Sequence, residues 1–516
     1  MIVIYHHHNS IVSIDSFEKE LPPFSKNTVV AMYLMKVAAI YPNIKIVWCH
    51  QSLKEMLRID FILKNKSYNN TLYSYNPSSS IYLTEAIAYV ENSPFMNVNK
   101  TVKYPTWLMS GQVGYAHASV FLSIAKEHVA SDFDYFLNSI AKSYMPLGLF
   151  CYSEPQLLKS TAVPLNDDSE TASTATLFKF VKQHFKTRWV FLLLLDFWMY
   201  EKKLPLLSFL KSFIFSKLQV DDYTQQNFPL LSNPGITIED TIDVLIPTIG
   251  RATYLYEVLM DLKQQTVMPH SVIIIEQNAD VEASTDLDYL YNESWPFVIH
   301  HQLIHQLGAC NARNLALKQL QSKWVFFADD DIRLEADFLE KCLENCKNYG
   351  QQAITVSCLQ EGEVEQQLIP VQWESFGSGC SFVAKQALTS LQFDMRFEFG
   401  FGEDVDFGKK IRDKGTDVVF FPSPHLIHLK APIGGFRTKF ELKWKNESIQ
   451  PKPSPTVMLY KLLYCTPKEL RGYKTVLFFK YYPKQKIKNP FAYASYFKKQ
   501  WNQSVYWANQ LGKFDS

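Results

Sequence analysis

Residues 323–331 read Lys-Trp-Val-Phe-Phe-Ala-Asp-Asp-Asp, an apolar run that ends on three consecutive carboxylates. The aromatic and β-branched residues of this run are typical of a buried strand. Three adjacent acids at its carboxyl end would repel one another unless a cation lies between them. A divalent metal that carries a diphosphate fits this position, because Mg²⁺ and Mn²⁺ take oxygen ligands and share them with substrate phosphates. An acidic turn that caps the next helix is the alternative interpretation.

Two apolar runs upstream also end on polar residues. Residues 243–246 precede Pro247 and Thr248, and residues 272–275 precede Glu276. Stretches with helical spacing of apolar residues separate these runs, and an order of strand, helix, strand, helix, strand predicts an open, mostly parallel α/β sheet. Because ligands bind at the carboxyl ends of the strands in such sheets, we expect these polar residues and the three aspartates to meet at one edge.

A second acidic cluster, Glu403-Asp404-Val405-Asp406, follows Gly402 and begins a predicted helix that stops at Gly415. One acid at a helix start is typical of capping, but three acids beside aromatic residues exceed what capping needs. A carboxylate in a partly apolar pocket has a raised pKa, which suits a general base. Asp404 is the predicted base and Glu403 the second candidate, whereas Asp406 is predicted to be a helix-start residue.

His428 follows the last predicted strand, residues 418–421. A single histidine is usually structural, but this one lies after the acidic cluster and before Gly434-Gly435. Its imidazole could therefore complete a metal site with Asp329 and Asp331.

Residues 241–437 resemble an inverting family 2 glycosyltransferase with the GT-A fold. The resemblance covers less than half of the chain and rests on five pieces in the expected order. These are Ile246-Pro247-Thr248 with Arg251, Glu276 where the family usually has Asp, Gly308 with Ala312-Arg313-Asn314, Asp329-Asp330-Asp331 as the D-x-D motif, and residues 402–407 as the late acidic motif.

The resemblance implies transfer of a sugar from a nucleotide-diphosphate donor, with UDP-sugars as the expected class and inversion at the anomeric carbon. Asp329 and Asp331, with His428, would bind Mn²⁺ or Mg²⁺, and Arg313 could pair with a phosphate as a forked donor. The donor-binding residues implied in this way are Pro247, Thr248, Arg251, Glu276, Arg313, Asp329 and Asp330.

Composition limits the class of protein. The chain of 516 residues has room for two or three domains, and a hydrophobic content of 47% argues against disorder. Eight cysteines without metal-ligand spacing indicate core thiols in a reducing compartment. No secretory signal or transmembrane segment is predicted, so a cytoplasmic location is expected.

The predicted domains are an N-terminal α/β domain at 1–217, a linker at 218–239, the GT-A domain at 240–438 and a basic, mostly helical region at 439–516. For the N-terminal domain two interpretations stay open, a degenerate second glycosyltransferase-like domain or an acceptor-binding module. The C-terminal region holds 15 Lys and Arg against 4 Asp and Glu, interleaved with aromatic residues.

Such a region favours contact with an anionic surface on the inner face of a membrane, or with an anionic lipid-linked acceptor. A folded helical tail with a solvated basic face is the alternative, and no further feature favours nucleic-acid binding.

The sequence therefore predicts a hexosyltransferase that acts on a glycan or glycolipid acceptor in surface polysaccharide assembly. A non-catalytic carbohydrate-binding scaffold derived from a glycosyltransferase is one alternative, but it predicts loss of carboxylates that are all present. A nucleotidyltransferase is another, although the glycine-rich phosphate loop of that chemistry is not evident after the first strand.

Overall fold

The computed structural model describes residues 1–16, 20–25, 27–65, 69–124, 128, 130–160, 171–218, 220, 240–432 and 441–513. Most of the predicted linker, residues 218–239, lies outside these ranges, as do Gly434 and Gly435. Tertiary contacts divide the chain into two compact units. Unit 1 comprises the described parts of residues 1–231 with 464–486, and unit 2 comprises those of 232–463 with 487–516. The basic C-terminal region thus contributes to both units.

Unit 1 is an α/β unit, as predicted for the N-terminal domain. Its strands are β1 (Ile2–His7), β2 (Ser10–Ser16), β3 (Lys45–His50), β4 (Thr71–Tyr75), β5 (Tyr104–Pro105), β6 (Val113–His117) and β7 (Phe150–Ser153). Its first helices are α1 (Val30–Ile40), α2 (Ile59–Lys64), α3 (Ala118–Leu122), α4 (Phe133–Tyr144), α5 (Thr174–His184), α6 (Arg188–Asp196) and α7 (Leu206–Ser212). The strands form one sheet in the order β2-β1-β3-β6-β4-β7-β5.

The strands of unit 2 are β8 (Ile242–Thr248), β9 (Ser271–Gln277), β10 (Val298–Ile304), β11 (Trp324–Ala328), β12 (Ile332–Arg333), β13 (Ala353–Leu359), β14 (Val371–Gln372), β15 (Cys380–Ala384) and β16 (Val419–His428). The helices between them are α8 (Ala252–Lys263), α9 (Tyr289–Asn292), α10 (Ala309–Leu317), α11 (Phe338–Tyr349) and α12 (Glu403–Asp413). Within the described ranges the sheet order is β10-β9-β8-β11-β15-β13-β16-β12, and β14 pairs with β16.

The predicted alternation of strands and helices is confirmed in unit 2. Strands β10, β9, β8 and β11 are parallel neighbours, so their carboxyl ends meet at one edge. Strand β15 runs antiparallel to β11 and β13, and β13 pairs in parallel with β16. Strands β9 and β11 are buried along their whole length, which explains why residues 324–328 and 272–275 are continuously apolar.

Three helices end the chain: α13 (Pro455–Tyr464), α14 (Pro467–Tyr481) and α15 (Pro490–Leu511). Helix α14 belongs to unit 1 and α15 to unit 2. Among the described helices, none combines the length and the apolar character that crossing a membrane requires.

Candidate active site

The carboxyl edge of the unit 2 sheet opens into a cavity of about 470 Å³. Strands β8 and β11, the loop before β15, the start of α12 and the end of β16 all contribute to its wall. Every predicted site residue except Glu276 lines this cavity, namely Pro247, Thr248, Arg251, Arg313, Asp329, Asp330, Asp331, Glu403, Asp404 and His428. The predicted meeting of polar residues at one edge is therefore present.

Asp330 is buried, as is Asp331, and two predicted donor-binding residues hydrogen-bond to Asp330. Thr248 Oγ1 donates to its Oδ2 at 2.7 Å, and Arg251 Nη1 donates to its Oδ1 at 2.5 Å. Burial raises the pKa of Asp330 to about 6, although Arg251 and Thr248 act in the opposite direction. These contacts fix the loop after β11 against the end of β8.

Asp329 and Asp331 form a cluster with His428, and Arg251 Nη1 is also 3.3 Å from Asp331 Oδ2. One possible ligand atom from each of the three residues lies within 4.8 Å of those of the other two. His428 Nε2 is 3.2 Å from Asp331 Oδ1, and the Ala431 N–H donates to Asp331 Oδ2 at 2.8 Å. Burial alone would raise the pKa of Asp331, but His428, Arg251 and this N–H together lower it. An ionised aspartate at neutral pH suits a metal ligand.

Two carboxylates and one imidazole are donors that suit a divalent cation. Arg313 balances part of the negative charge, because its Nη2 donates to Asp329 Oδ1 at 3.2 Å. The loop before β15 comes very close to the same carboxylate: a Cβ on Gly379 would lie 2.1 Å from Asp329 Oδ2. Glycine is required there by close approach, since any side chain would displace Asp329.

The first turn of α12 presents the second acidic pair. Burial raises the pKa of Glu403 to about 7, with a further contribution from the charge of Asp404. Burial also raises the pKa of Asp404, against the effects of Arg313 and of hydrogen bonds from Ser378. A partly buried carboxylate with a raised pKa is the environment expected for a general base.

Asp406 lies in the same helical turn but is fully buried, and its Oδ2 is 2.7 Å from Lys410 Nζ. The prediction that Asp406 has a helix-start role agrees with this placement in the first turn. The three acids of this cluster therefore divide into two that face the cavity and one that pairs within α12.

Glu276 lies at the end of β9, as predicted, but its carboxylate is held by residues outside the cavity. Thr285 Oγ1 and the Asp286 N–H donate to it at 2.6 and 3.1 Å, and His301 Nε2 lies 2.9 Å away. The next residue, Gln277, lines the cavity instead. Contact between Glu276 and a nucleoside stays a prediction.

Glu398 is a cavity residue that the sequence analysis missed. Its carboxylate accepts hydrogen bonds from the Cys310 and Asn311 N–H groups, at 3.1 and 2.9 Å, in the first turn of α10. Free N–H groups at a helix start attract an anion. The available signal was Gly308, which has a φ of +137° and where a Cβ would lie 2.3 Å from Glu398 Oε2.

Comparisons with known proteins agree with this arrangement. Residues 243–401 match the family model described as glycosyl transferase family 2. Glu403, Asp404 and His428 lie beyond the matched residues, so the fold and not the family match brings them to the cavity. No curated protein sequence matches the chain.

Similar solved structures include S. aureus TarS, at 15% identity and a TM-score of 0.32, where the match covers 46% of this chain and 42% of that chain. Residues 1–349 of S. aureus TarS in complex with UDP-GlcNAc give 15% identity, a TM-score of 0.36 and coverage of 51% and 79%. The mannosyltransferase PcManGT from Pyrobaculum calidifontis, in complex with GDP-Man and Mn²⁺, gives 17% identity, a TM-score of 0.31 and coverage of 55% and 77%. The chain thus spans less than half of full-length TarS.

Unit 2 combines the predicted sheet with a cavity at its carboxyl edge, and the family model covers the strands and loops that build most of that cavity. Residues 243–401 therefore belong to a family 2 glycosyltransferase domain with the GT-A fold.

Proposed function

We propose that the protein is a metal-dependent, inverting hexosyltransferase that moves a sugar from a nucleotide-diphosphate donor to a glycan or glycolipid acceptor. The observation that supports this proposal is one cavity with two acidic groups of different character. The Asp329, Asp331 and His428 cluster suits a cation, and the Glu403 and Asp404 pair has raised pKa values. UDP-sugars are the expected donor class because of the resemblance of the sequence motifs.

Asp329, Asp331 and His428 are the residues that would hold Mn²⁺ or Mg²⁺. When bound, such a cation neutralises the charge that develops on the leaving diphosphate. Arg313 reaches Asp329 from the start of α10 and can donate two parallel hydrogen bonds to a phosphate. Thr248 and Arg251 act through Asp330, because their hydrogen bonds fix the loop that carries the metal-binding carboxylates.

Asp404 is the proposed general base, and it would accept the proton of the attacking acceptor hydroxyl. Ser378 hydrogen-bonds to its carboxylate, which orients the side chain at the floor of the cavity. A base on the face opposite the leaving group leads to inversion at the anomeric carbon, by the geometry that governs inverting hydrolases. Glu403 contributes negative charge beside the base and is the second candidate for its role.

The proposed setting is surface polysaccharide or glycolipid assembly, with the protein peripheral to an anionic membrane surface. Support from unit 2 comes from the basic and aromatic surface of α15, where Phe491 is 85% exposed and lysines 498 and 499 are also exposed. Exposed aromatic side chains next to lysines suit the interface of a membrane with anionic lipids.

The test is calorimetric titration of the protein with UDP-, GDP- and dTDP-sugars, with and without Mn²⁺. Metal-dependent binding of one donor, lost in Asp331→Ala but kept in Asp337→Ala, would support the proposal. Asp337 is the matched control because it lies before α11 in the same unit and pairs with Lys341 at the surface. A folded protein that binds none of these donors would contradict the proposal.

A further inference from the structure

Unit 1 repeats the strand arrangement of the transferase sheet. Five strands of unit 1, β1-β3-β6-β4-β7, follow the order of β8-β11-β15-β13-β16 in unit 2. Each neighbouring pair also has the same relative direction, namely parallel, antiparallel, antiparallel and parallel. A sixth short strand, β5, pairs antiparallel with β7 as β14 pairs with β16. Six strands that share order, direction and sequence succession indicate a second copy of the same fold.

A hydrogen bond to an aspartate side chain occurs at the same register position in both units. Strand β6 pairs Val113 with Cys49 of β3, and β15 pairs Cys380 with Ala328 of β11. Two residues before Val113, the Gly111 N–H donates to Asp134 Oδ1 at 2.8 Å. Two residues before Cys380, Ser378 hydrogen-bonds to Asp404. Asp134 is the second residue of α4, which lies between β6 and β7 in the chain, and Asp404 is the second residue of α12, which lies between β15 and β16.

Among the described residues, this second copy lacks counterparts of the residues that are predicted to bind the nucleotide-sugar donor in unit 2. Cys49 of β3 and Ala328 of β11 occupy the same register position. The three residues after Cys49 are His50-Gln51-Ser52, and the three after Ala328 are Asp329-Asp330-Asp331. The buried His6 ring fills the space beside this loop, with Nε2 2.7 Å from the Gly111 carbonyl oxygen. Strand β2 pairs antiparallel with β1, where β9 pairs in parallel with β8. Within the described part of unit 1, no cluster of three possible metal ligands that includes carboxylates is found for a nucleotide-bound cation.

The acceptor half, in contrast, retains a cavity of about 390 Å³. The ends of β4 and β7, the loop before β6 and helix α4 form one part of its wall and correspond to the β13, β16 and α12 side of the transferase cavity. Residues between 76 and 100 and the start of α14 form the rest of the wall. Asn76, Asn138, Tyr82, Lys100 and Arg471 are among the residues that line it. The side chains of Asn76, Asn138 and Lys100 also donate to backbone carbonyl oxygens, which holds these polar groups in place at the wall. Amides, cationic donors and an aromatic ring are the groups that hydroxyl-rich ligands require.

We propose that this cavity is a saccharide-binding site without donor chemistry, which holds part of the acceptor glycan while unit 2 performs transfer. This proposal rests on the proposed function for the identity of the ligand as a glycan. It predicts one donor site per chain, because the donor-binding residues are present only in unit 2 among the described residues.

The experiment is binding of the full-length protein to an array of neutral, uronate-containing and phosphorylated oligosaccharides. Two variants change the cavity: Arg471→Gln removes a cationic donor from α14, and Ser153→Leu fills the floor at the end of β7. Lys480→Gln, on an exposed position of α14 outside the cavity, is the matched control. Thermal unfolding establishes that each variant is folded.

We expect a subset of glycans to bind, with at least tenfold weaker binding in both cavity variants and no change in Lys480→Gln. Asp331→Ala should keep this glycan binding while it loses the donor, so that failure of the transferase site and failure of the saccharide site give different results. An array without bound glycans, or glycan binding that is lost in Asp331→Ala and kept in both cavity variants, would overturn the proposal.

A second, independent observation concerns the surface of residues 186–217 in unit 1. Nine large apolar side chains are exposed along α6, α7 and the segment between them. The aromatic rings of Phe191, Phe209 and Phe213 contact one another with centroids 5.1–5.7 Å apart, so α6 and the end of α7 share one apolar surface. The nine residues are Phe191, Trp198, Met199, Leu204, Leu206, Leu207, Leu210, Phe213 and Ile214.

The exposed charged side chains around this patch are all positively charged. Six exposed cations lie in the fully described segment, namely Lys186, Arg188, Lys202, Lys203, Lys211 and Lys217. Its two acids are withdrawn from solvent, because Asp196 is buried and the side chain of Glu201 is only 18% exposed. Exposed apolar patches of this kind mark interaction sites, and a rim of lysines favours anionic lipid headgroups.

We propose that residues 186–217 insert into the surface of an anionic membrane. The test is co-sedimentation of the full chain with phosphatidylcholine vesicles, with and without phosphatidylglycerol. Leu207→Gln with Ile214→Gln removes two side chains that are 75% and 80% exposed, and Val364→Gln, 76% exposed in unit 2, is the matched control. We expect at least a tenfold loss of binding to anionic vesicles in the double variant alone.

Phe491→Gln measures the contribution of α15 separately, and it should weaken binding to anionic vesicles less than the double variant does. Loss of binding in Phe491→Gln but not in the double variant would assign the contact to α15 and overturn the proposal. Concentration-dependent dimers that the double variant abolishes, without vesicle binding, would show that a second copy covers the patch and would also overturn it.

Discussion

The three acids at the start of α12 can each be replaced by the corresponding amide. These replacements distinguish an effect on the reaction from an effect on the stability of the fold. Asp404→Asn keeps the shape of the side chain and its ability to accept a hydrogen bond from Ser378, but it removes the basic oxygen. General bases contribute about 10²- to 10⁴-fold to rate, so kcat should fall by that factor, or about 2.7–5.4 kcal/mol of transition-state stabilisation. Donor affinity and thermal stability should change little.

The neighbouring acids provide the controls. Glu403→Gln removes a like charge beside the base and should change kcat by less than about tenfold. Asp406→Asn breaks the buried pair with Lys410, so it should lower the free energy of unfolding by about 1–3 kcal/mol, while the folded enzyme keeps its turnover. Release of nucleotide from the donor, to acceptor or to water, measures turnover, and urea unfolding measures stability.

The pH dependence follows from the same site. A carboxylate base works when it is deprotonated, and burial raises the pKa of Asp404. Activity should therefore be lost as the pH falls through a pKa above the usual range for aspartate. If Asp404→Asn retains more than a tenth of the turnover, or if Glu403→Gln is the more damaging change, the assignment of the base is wrong.

Three further predictions concern other parts of the chain. Asp331→Ala should weaken donor binding in Mn²⁺ by at least tenfold, about 1.4 kcal/mol, and calorimetry with and without the metal checks this. Gly308→Ala should destabilise unit 2 by at least about 1 kcal/mol more than Gly362→Ala, because both have positive φ but only the former brings a Cβ against Glu398; equal urea midpoints would contradict this. Burial raises the pKa of Asp196 to about 7, so ionisation of this residue should destabilise unit 1 as pH rises from 4 to 7. Asp196→Asn should therefore be more stable than the unchanged chain at pH 8, by roughly 2–4 kcal/mol, and equal to it near pH 4, in urea unfolding at both values.

Much of the transferase site could be predicted because each group of its residues is contiguous in sequence and lies at the end of a strand. Residues 323–331 combine a strand and its carboxylates in nine positions, so their chemistry and their place in the sheet can be predicted together. His428 was predicted in a loop after a strand at 418–421, but β16 continues to His428, and its parallel pairing with β13 brings that strand end to the same edge.

The parts of the site that the sequence did not predict depend on pairs of residues that are distant in sequence. Glu276 is held by His301, and Glu398 caps the first turn of α10 from more than 80 residues away. Neither partner has a local pattern that indicates the contact. The repeated sheet of unit 1 was also hidden, because strand order and direction carry the similarity while the acidic motif that marks the donor site is replaced by His50-Gln51-Ser52.

Comparison of the two units clarifies what the base residue must do. In unit 1 the Asp134 carboxylate accepts a hydrogen bond from the loop before β6, in a unit that has no acidic donor motif after β3. The hydrogen bond between helix and loop is thus a feature of the shared fold, independent of sugar transfer. By the same argument Asp404 would have two tasks if it is the base, since it already hydrogen-bonds to Ser378 and would also provide the basic oxygen. Replacement of Asp404 by Ala would remove both, so loss of activity in that variant could not distinguish a missing base from a displaced loop. The amide variant keeps the brace, and only its loss of turnover assigns the proton transfer to this oxygen.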